Sequence, residues 1–199
     1  MSDKITAPCE KGPRAAHNSG PRTKKQIAFH VIHASEGDSA AGVAAYLHGK
    51  NSGGSVQRCL DDKECIRILP DLVIPWGAPP LNTSGIHDEL SAFSRWSPLQ
   101  WYKHLPMLKR EGSRIAFDCI TYKIPLRWLT AVDLKQIGTE PGVGKGGVTD
   151  HVAVTKAFGK TDHTDPGQGF ELSVEGRKSP HKIIMFWARH YYKQMKAKA

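Results

Sequence analysis

Two histidines and one aspartate of this sequence are candidate ligands for a metal ion. His33 ends a short apolar run, His151 follows a glycine-rich stretch, and Asp165 begins the turn sequence Asp165-Pro166-Gly167. Two imidazoles and a carboxylate suit Zn²⁺, and they leave a fourth position for a water, as hydrolytic zinc sites require. Because a single histidine at the end of a strand is more often structural, the spacing alone leaves a structural role open for each residue.

Strands and helices alternate along the chain without internal repeats. This order favours an α/β fold, with a single domain in which helices flank a central mixed β-sheet. We expect the candidate zinc site to lie at one edge of that sheet. The predicted strands are 27–33, 56–60, 65–69 and 86–90. The predicted helices are 40–47, a long helix from 98 towards 119 that Pro106 would either kink or interrupt, and a C-terminal helix from 180 to about 194.

Basic charge is concentrated at the two ends of the chain, whose net charge is +9. Residues 1–26 carry six basic and two acidic residues, residues 177–199 carry seven basic residues and no acid, and residues 27–176 are slightly acidic. We expect a flexible basic arm over 1–26 and a basic amphipathic helix over 177–199, both able to contact anionic cell-envelope polymers. A simple role of the ends in solubility is the alternative, and the acidic body argues against a nucleic-acid partner.

The four cysteines, Cys9, Cys59, Cys65 and Cys119, are too few for a disulfide scaffold in 199 residues. Cys59 and Cys65 flank an acidic turn and could bridge if the strand register brought them together, which the sequence leaves open. No apolar run approaches the roughly 18 residues that cross a membrane, so we expect no transmembrane segment. The start of the chain also lacks the apolar stretch of a secretory signal.

Several short motifs follow one another in an order that resembles a known family. They are His33-Ala34-Ser35, Trp76, the run from Asn82 to Leu90, Tyr122-Lys123-Ile124-Pro125, His151, and Asp165-Pro166-Gly167 followed by Phe170. In this order they resemble the type 2 N-acetylmuramoyl-L-alanine amidase superfamily, which includes phage lysozyme-type amidases and peptidoglycan recognition proteins. The resemblance covers about 27–170. It departs at Ser55, which Val56 and Gln57 follow where many relatives have an aromatic residue and a histidine.

The resemblance implies a zinc amidase domain over 27–176 that cleaves peptidoglycan between N-acetylmuramic acid and the L-alanine of the stem peptide. His33, His151 and Asp165 would hold Zn²⁺, and Glu89 would act as general base and then as proton donor. His163 lies where phage-type enzymes often have a lysine, and it would stabilise the oxyanion. Trp76 and Asn82 would line the groove that binds the substrate.

The setting that this resemblance implies is a phage endolysin, which we expect to be monomeric. It would stay in the cytoplasm of the host bacterium until a holin opens the membrane, and would then act on the cell wall. A peptidoglycan-recognition module without turnover is the main alternative, and a basic nucleic-acid-binding protein is a weaker one.

Overall fold

A six-stranded mixed sheet lies at the centre of the computed structural model, which describes residues 8–174 and 176–198. Its strand order is β1-β4-β3-β5-β2-β6, in which β3 and β4 are antiparallel and all other neighbours are parallel. The strands are β1 (Glu10–Lys11), β2 (Phe29–Ala34), β3 (Arg58–Leu60), β4 (Cys65–Arg67), β5 (Gly85–Leu90) and β6 (Gly147–Asp150). The predicted α/β fold with a central mixed sheet is confirmed.

The helices of the described residues surround this sheet. They are α1 (Ala40–His48), α2 (Pro98–Tyr102), α3 (Leu105–Tyr122), α4 (Ala131–Ile137), α5 (His151–Phe158), α6 (Gln168–Glu171) and α7 (Pro180–Ala197). Ser39 caps α1 by accepting a hydrogen bond from the Gly42 amide, and Ser97 caps α2 in the same way from Gln100. The long helix predicted from residue 98 is divided into α2 and α3, because Pro106 can occupy the first turn of a helix but not its interior.

Strand β2 is buried on both faces of the sheet, and its side chains alternate between two environments. Ile32 belongs to the core beneath α3 and α7, whereas Phe29 and Val31 pack with residues of α4 and α5. The same alternation sends His30 towards α3 and His33 to the opposite face. Residues at odd-numbered positions of β2 therefore face α4 and α5, and residues at even-numbered positions face α3 and α7.

Residues 8–26 are not a flexible arm, and that prediction is wrong for them. Cys9 forms a disulfide with Cys65, and β1 then pairs with β4 in parallel. Ala15 is buried, and the guanidinium of Arg22 donates hydrogen bonds to two carbonyl groups of the loop before β5 and to the carbonyl of Gly85, the first residue of β5. Contacts with distant parts of the chain hold this segment in place. Its order therefore does not depend on a hydrophobic periodicity that its own sequence would show. Residues 1–7 lie outside the described residues.

The disulfide also answers whether Cys59 and Cys65, on either side of the acidic turn, form a bridge. Cys65 is bonded to Cys9, so a Cys59–Cys65 bridge is excluded. In the antiparallel register Cys59 lies opposite Ile66, while Cys65 lies opposite Leu60. Cys59 and Cys119 are buried free thiols.

Helix α7 packs against α3 and completes the core on that side of the sheet. Ile184, Ala188 and Tyr191 are buried along one stripe, at spacings of three and four residues. Gly112 of α3 permits the close approach, because a Cβ atom there would lie 2.7 Å from the Cβ of Trp187. Within 8–174 and 176–198, no helix combines the length and apolar character needed to span a membrane.

Candidate metal centre

The three predicted metal ligands meet where strands β2 and β6 end. His33 is the penultimate residue of β2, and His151 opens α5 immediately after β6. The side chain of Asp150 caps α5 by accepting a 2.8 Å hydrogen bond from the Ala153 amide, which fixes the start of the helix and so the position of His151. Asp165 approaches both histidines from the loop before α6. The three residues therefore meet at the carboxyl ends of parallel strands, where ligands commonly bind in α/β sheets.

The donor atoms of these three residues converge on one point. The Nδ1 atom of His33 lies 3.3 Å from Oδ2 of Asp165, and the Nδ1 atom of His151 lies 3.1 Å from Oδ1. All three side chains are buried, and their donor atoms lie within 4.8 Å of one another. His151 Nδ1 is buried without a hydrogen bond of good geometry. A metal ion would satisfy this nitrogen, and two imidazoles with one carboxylate fit the donor set of Zn²⁺.

The electrostatic environment favours the metal-binding forms of these groups. Burial alone would raise the pKa of Asp165, but the adjacent imidazoles of His151 and His33 outweigh burial and hold this pKa below its usual range. Burial lowers the pKa of His151. A metal binds a carboxylate and neutral imidazoles, and these are the forms that the two shifts favour.

Glu89 lies beside His33, directly opposite it in the parallel register of β5 and β2. Its Oε2 atom is buried and has no hydrogen-bond partner. Burial raises the pKa of Glu89 well above its ordinary value, and the nearby carboxylates of Asp165 and Glu36 raise it further. A carboxyl group in this environment takes up a proton more readily than an ordinary glutamate, which is a property that a general base needs.

His163 lies at the outer side of the cluster. Its ring stacks on His151 with centroids 4.4 Å apart, and its Nδ1 atom lies 3.4 Å from Oδ1 of Asp165. Unlike the three buried residues, its side chain is 60% exposed. It can therefore offer a hydrogen bond to a molecule that approaches the cluster from solvent.

Trp76 and Asn82 lie on one loop at the side of the same cleft. The Trp76 indole stacks on His17 at 4.8 Å and donates a 2.7 Å hydrogen bond to Ser19 Oγ. Asn82 Oδ1 accepts hydrogen bonds from the amides of Gly77 and Ala78. The Asn82 oxygen thus holds the loop in shape, while Trp76 keeps an exposed face.

All seven predicted site residues line one open cleft of about 1050 Å³. They are His33, Trp76, Asn82, Glu89, His151, His163 and Asp165. Residues of α1 and of the following loop also line the cleft, and the exposed Tyr46 of α1 donates a hydrogen bond to the Ser52 carbonyl. The structure therefore brings the predicted residues together, and their individual roles stay predictions.

Solved structures share this architecture, although no protein-family model and no curated protein matches the sequence. The Staphylococcus aureus hydrolase AmiA, solved with its ligand, superposes with a TM-score of 0.69 at 16% identity, covering 96% of this chain and 86% of AmiA. The endolysin and N-acetylmuramoyl-L-alanine amidase LysCS from Clostridium intestinale has a TM-score of 0.53 at 9% identity, covering 89% of this chain and 92% of LysCS. A mutant endolysin from Bacillus subtilis has a TM-score of 0.51 at 16% identity, covering 77% and 88%. The chain has the amidase fold.

A second cluster of ionisable residues lies on the opposite face of the sheet from the cleft. His30 lies 2.9 Å from Asp118 and 2.7 Å from Glu111, while Arg58 lies 2.7 Å from Asp88 and also pairs with Asp118. His30, Asp88 and Glu111 have the spacing of a metal site. However, His30 and Arg58 already bind the carboxylates, so we interpret this cluster as a buried ion network that joins the sheet of the amidase fold to α3.

Protonation of His30 is an integral part of this network. Burial lowers its pKa, but the carboxylates of Glu111 and Asp88 and hydrogen bonds to Asp118 and Glu111 more than compensate and raise it to about 10. Burial alone would raise the pKa of Asp118, yet Arg58 and His30 lower it to about 2. Both residues are therefore charged at neutral pH.

Two residues next to the candidate site of the amidase fold were not among the predicted site residues. His17 supports Trp76, but it lies in the segment that was expected to be a flexible arm. His87 lies two residues before Glu89, and its Nδ1 atom is 3.0 Å from Nε2 of His33. The two-residue period of a strand places His87 and Glu89 on one face, so this signal was present in the sequence.

Proposed function

We propose that this chain is a zinc-dependent N-acetylmuramoyl-L-alanine amidase that hydrolyses the bond between N-acetylmuramic acid and the L-alanine of the stem peptide. The observation that carries the proposal is the convergence of His33, His151 and Asp165 beside Glu89, at the base of an open cleft in the amidase fold. LysCS, which shares the fold, is itself an N-acetylmuramoyl-L-alanine amidase. The cleft is open to solvent, as a polymeric substrate requires.

His33, His151 and Asp165 would hold the zinc ion through their converging donor atoms. When bound, zinc would act as a Lewis acid towards the scissile carbonyl and would acidify water in the site. The chain's own contribution is a fixed geometry, because one ligand is set by β2, one by the capped start of α5, and one by the loop before α6. Three protein ligands leave a position for the reacting groups.

Glu89 would move the proton between the attacking water and the leaving amine. Its buried Oε2 has no partner, and its raised pKa allows the carboxyl group to take up a proton and then release it. Asp88 cannot take this role, because it is buried on the opposite face of the sheet in an ion pair with Arg58. Glu89 is thus the acid of β5 that lines the cleft.

His163 would donate a hydrogen bond to the oxygen that becomes negatively charged in the transition state. Its exposed ring stands over His151 and faces the solvent side of the cluster, where that oxygen would lie. Trp76 would provide an apolar face for a sugar ring or a peptide side chain, since 43% of its surface is exposed. Asn82 would contribute by holding the Trp76 loop.

The biological proposal is a phage endolysin that acts on the wall of its host after a holin admits it from the cytoplasm. Two of the solved structures with this fold are endolysins. Cations on α7 and just after it would bind anionic polymers of the envelope. They are the exposed residues Lys182, Arg189, Lys193, Lys196 and Lys198. No acidic residue within 177–199 offsets them.

The test is digestion of purified peptidoglycan by the full chain after loading with one equivalent of zinc. Mass spectrometry should find stem peptides with a free N-terminal alanine, together with glycan that has lost its peptides. Glu89→Gln should bind the walls without this release. Asp162→Asn is the matched control, because Asp162 is an exposed acid of the same cleft and should be dispensable. Wall binding by the parent without new amino groups would instead identify a recognition module.

A further inference from the structure

His87 is a buried imidazole to which the proposed mechanism gives no role. It lies in β5 with no exposed surface, and its Nδ1 atom is 3.0 Å from Nε2 of His33. The other nitrogen of His33, Nδ1, faces the carboxylate of Asp165. The two nitrogens of His33 therefore have different neighbours, one towards the metal position and one towards His87.

The direction of the hydrogen bond between the two rings follows from the second nitrogen of His87. The Nε2 atom of His87 lies 3.4 Å from the Leu81 carbonyl oxygen, and a carbonyl oxygen can only accept. No acid of the described residues lies within ion-pair distance of His87, so this fully buried ring has no partner for a positive charge. A neutral ring with its proton on Nε2 has an accepting Nδ1. His33 must then donate from Nε2, which leaves its Nδ1 lone pair for a metal.

The surroundings of His87 hold its ring in this orientation. A Cβ atom at Gly77 would lie 2.5 Å from His87 Nδ1, and a Cβ atom at Gly85 would lie 2.6 Å from Nε2. The two glycines thus provide a slot that any larger residue would close. The backbone is held as well, because the His87 amide donates a 2.8 Å hydrogen bond to Gln57 Oε1. The ring cannot turn without displacing this neighbouring structure.

We propose that His87 is a positioning residue, which accepts a hydrogen bond from His33 Nε2 and so keeps His33 Nδ1 directed at the metal position. The inference rests on the proposed zinc site. It adds a residue that contacts the proposed ligand His33 on the side away from the metal position. Partners that orient a ligating histidine in this way typically contribute about 10- to 100-fold in metal affinity.

Variants at position 87 test this role through zinc affinity, measured on the full chain by competition with a chromophoric chelator. His87→Asn keeps an accepting oxygen at the position of Nδ1, whereas His87→Leu and His87→Ala remove the acceptor. We expect zinc binding to weaken about 10- to 100-fold in the Leu and Ala variants, and the Asn variant to bind nearly as tightly as the parent. Equal affinity in all four proteins, or equal weakening of the Asn and Ala variants, would overturn the proposal.

Nuclear magnetic resonance of the ¹⁵N-histidine-labelled parent gives a second measurement that needs neither zinc nor a folded variant. The metal-free parent should show a proton on His33 Nε2 and a scalar coupling across the hydrogen bond to His87 Nδ1. An unprotonated His33 Nε2, or a proton on His87 Nδ1, would refute the assigned direction. A parent that binds no zinc would refute the proposed function, whereas zinc binding that is indifferent to His87 would refute only this inference.

Discussion

His33 and Glu89 are register partners on adjacent parallel strands, so the first proposed metal ligand and the proposed proton carrier share one face of the sheet. Their neighbours His30 and Asp88 belong to the opposite face, where a buried ion network joins them to α3. A shift of β5 by one residue against β2 would place Asp88 on the face of His33 and Glu89 on the face of His30. The register of these two strands therefore separates the face of the candidate site from the face of the buried ion network.

Removal of a metal ligand should abolish both zinc binding and hydrolysis. We expect His151→Ala and Asp165→Ala to lose zinc, because each leaves only two of the three protein ligands that such sites need. Elemental analysis of the purified variants measures the zinc content, and release of amino groups from peptidoglycan measures the activity. Asp162→Ala is the control, since this acid lines the cleft but is not a member of the cluster.

Full zinc content in either ligand variant would remove that residue from the proposed metal shell. Loss of zinc from the Asp162 variant would show that the loop as a whole, rather than the carboxylate of Asp165, is needed for binding.

Glu89→Gln should keep zinc and the fold, and should reduce kcat by roughly 10²- to 10⁴-fold. The carboxamide is nearly isosteric with the carboxyl group but cannot take up the proton. Steady-state kinetics on a soluble muropeptide, together with elemental analysis, separate this loss from loss of metal. Activity within a few-fold of the parent would move the proton-transfer role to another group.

Asp88→Asn, at the position next to Glu89, should reduce the stability of the fold and leave zinc binding intact. Asp88 is fully buried and pairs with Arg58, so its neutralisation should lower the free energy of unfolding. The zinc ligands should be unaffected, because they lie on the other side of the sheet. Urea denaturation and zinc analysis of this variant therefore report on the face of the buried ion network alone.

His163→Ala should reduce the rate by about 10²- to 10³-fold with little change in zinc content, as expected for one oxyanion donor. Its exposed ring stacks on His151 but is not one of the three buried residues that form the candidate metal site. His163→Lys should retain part of the rate, because an ammonium group can donate the same hydrogen bond. Loss of zinc from the alanine variant would instead make His163 a ligand.

The pH dependence of stability should reveal the protonated His30. Its pKa is raised from 6.5 to about 10 in the folded protein, so its stabilising contribution is complete below pH 6.5 and is lost as the pH approaches 10. Between pH 8 and 10, the free energy of unfolding should fall more steeply in the parent than in His30→Gln, by at most about 1.4 kcal/mol per pH unit. Urea denaturation at several pH values measures both slopes.

His190→Gln is the matched control for this experiment. His190 is an exposed residue of α7 and is not a member of the buried network, so its replacement should leave the parental slope unchanged. Parallel slopes in the parent and His30→Gln would show that His30 is neutral when the protein is folded at pH 8.

Strand β2 could be predicted because it belongs to a short, mostly apolar run with recognisable ends. Strand β5 has a polar centre, and only the apolar residues at its two ends, Ile86 and Leu90, indicated a brief inner strand. Strand β6 could not be predicted, because Thr149 and Asp150 are polar although the fold buries them. Nor could β1, which has two residues and is held by the disulfide of Cys9 rather than by a hydrophobic pattern. Long-range covalent and register contacts of this kind leave no local signal.

The candidate site was predictable as a set of residue types, but its geometry was not. The motif order identified His33, His151 and Asp165, whereas only the fold shows that both Nδ1 atoms face one carboxylate. His87 was missed because the resemblance gives that position no role. His17 was missed because the tertiary contact that places it against Trp76 joins segments distant in the sequence.

The cations at the end of α7 should bind the anionic envelope without contributing to stability. Lys193, Lys196 and Lys198 are exposed, while the buried stripe of the helix ends at Tyr191. Replacing the three lysines by glutamine, in the inactive Glu89→Gln background, should weaken sedimentation with purified walls and keep the melting temperature. The difference should vanish as salt approaches 1 M, where the Debye length is about 3 Å. Replacement of the same lysines by arginine keeps the charge and should preserve binding. Equal binding by the glutamine and arginine variants at low salt would exclude these three residues as the tether.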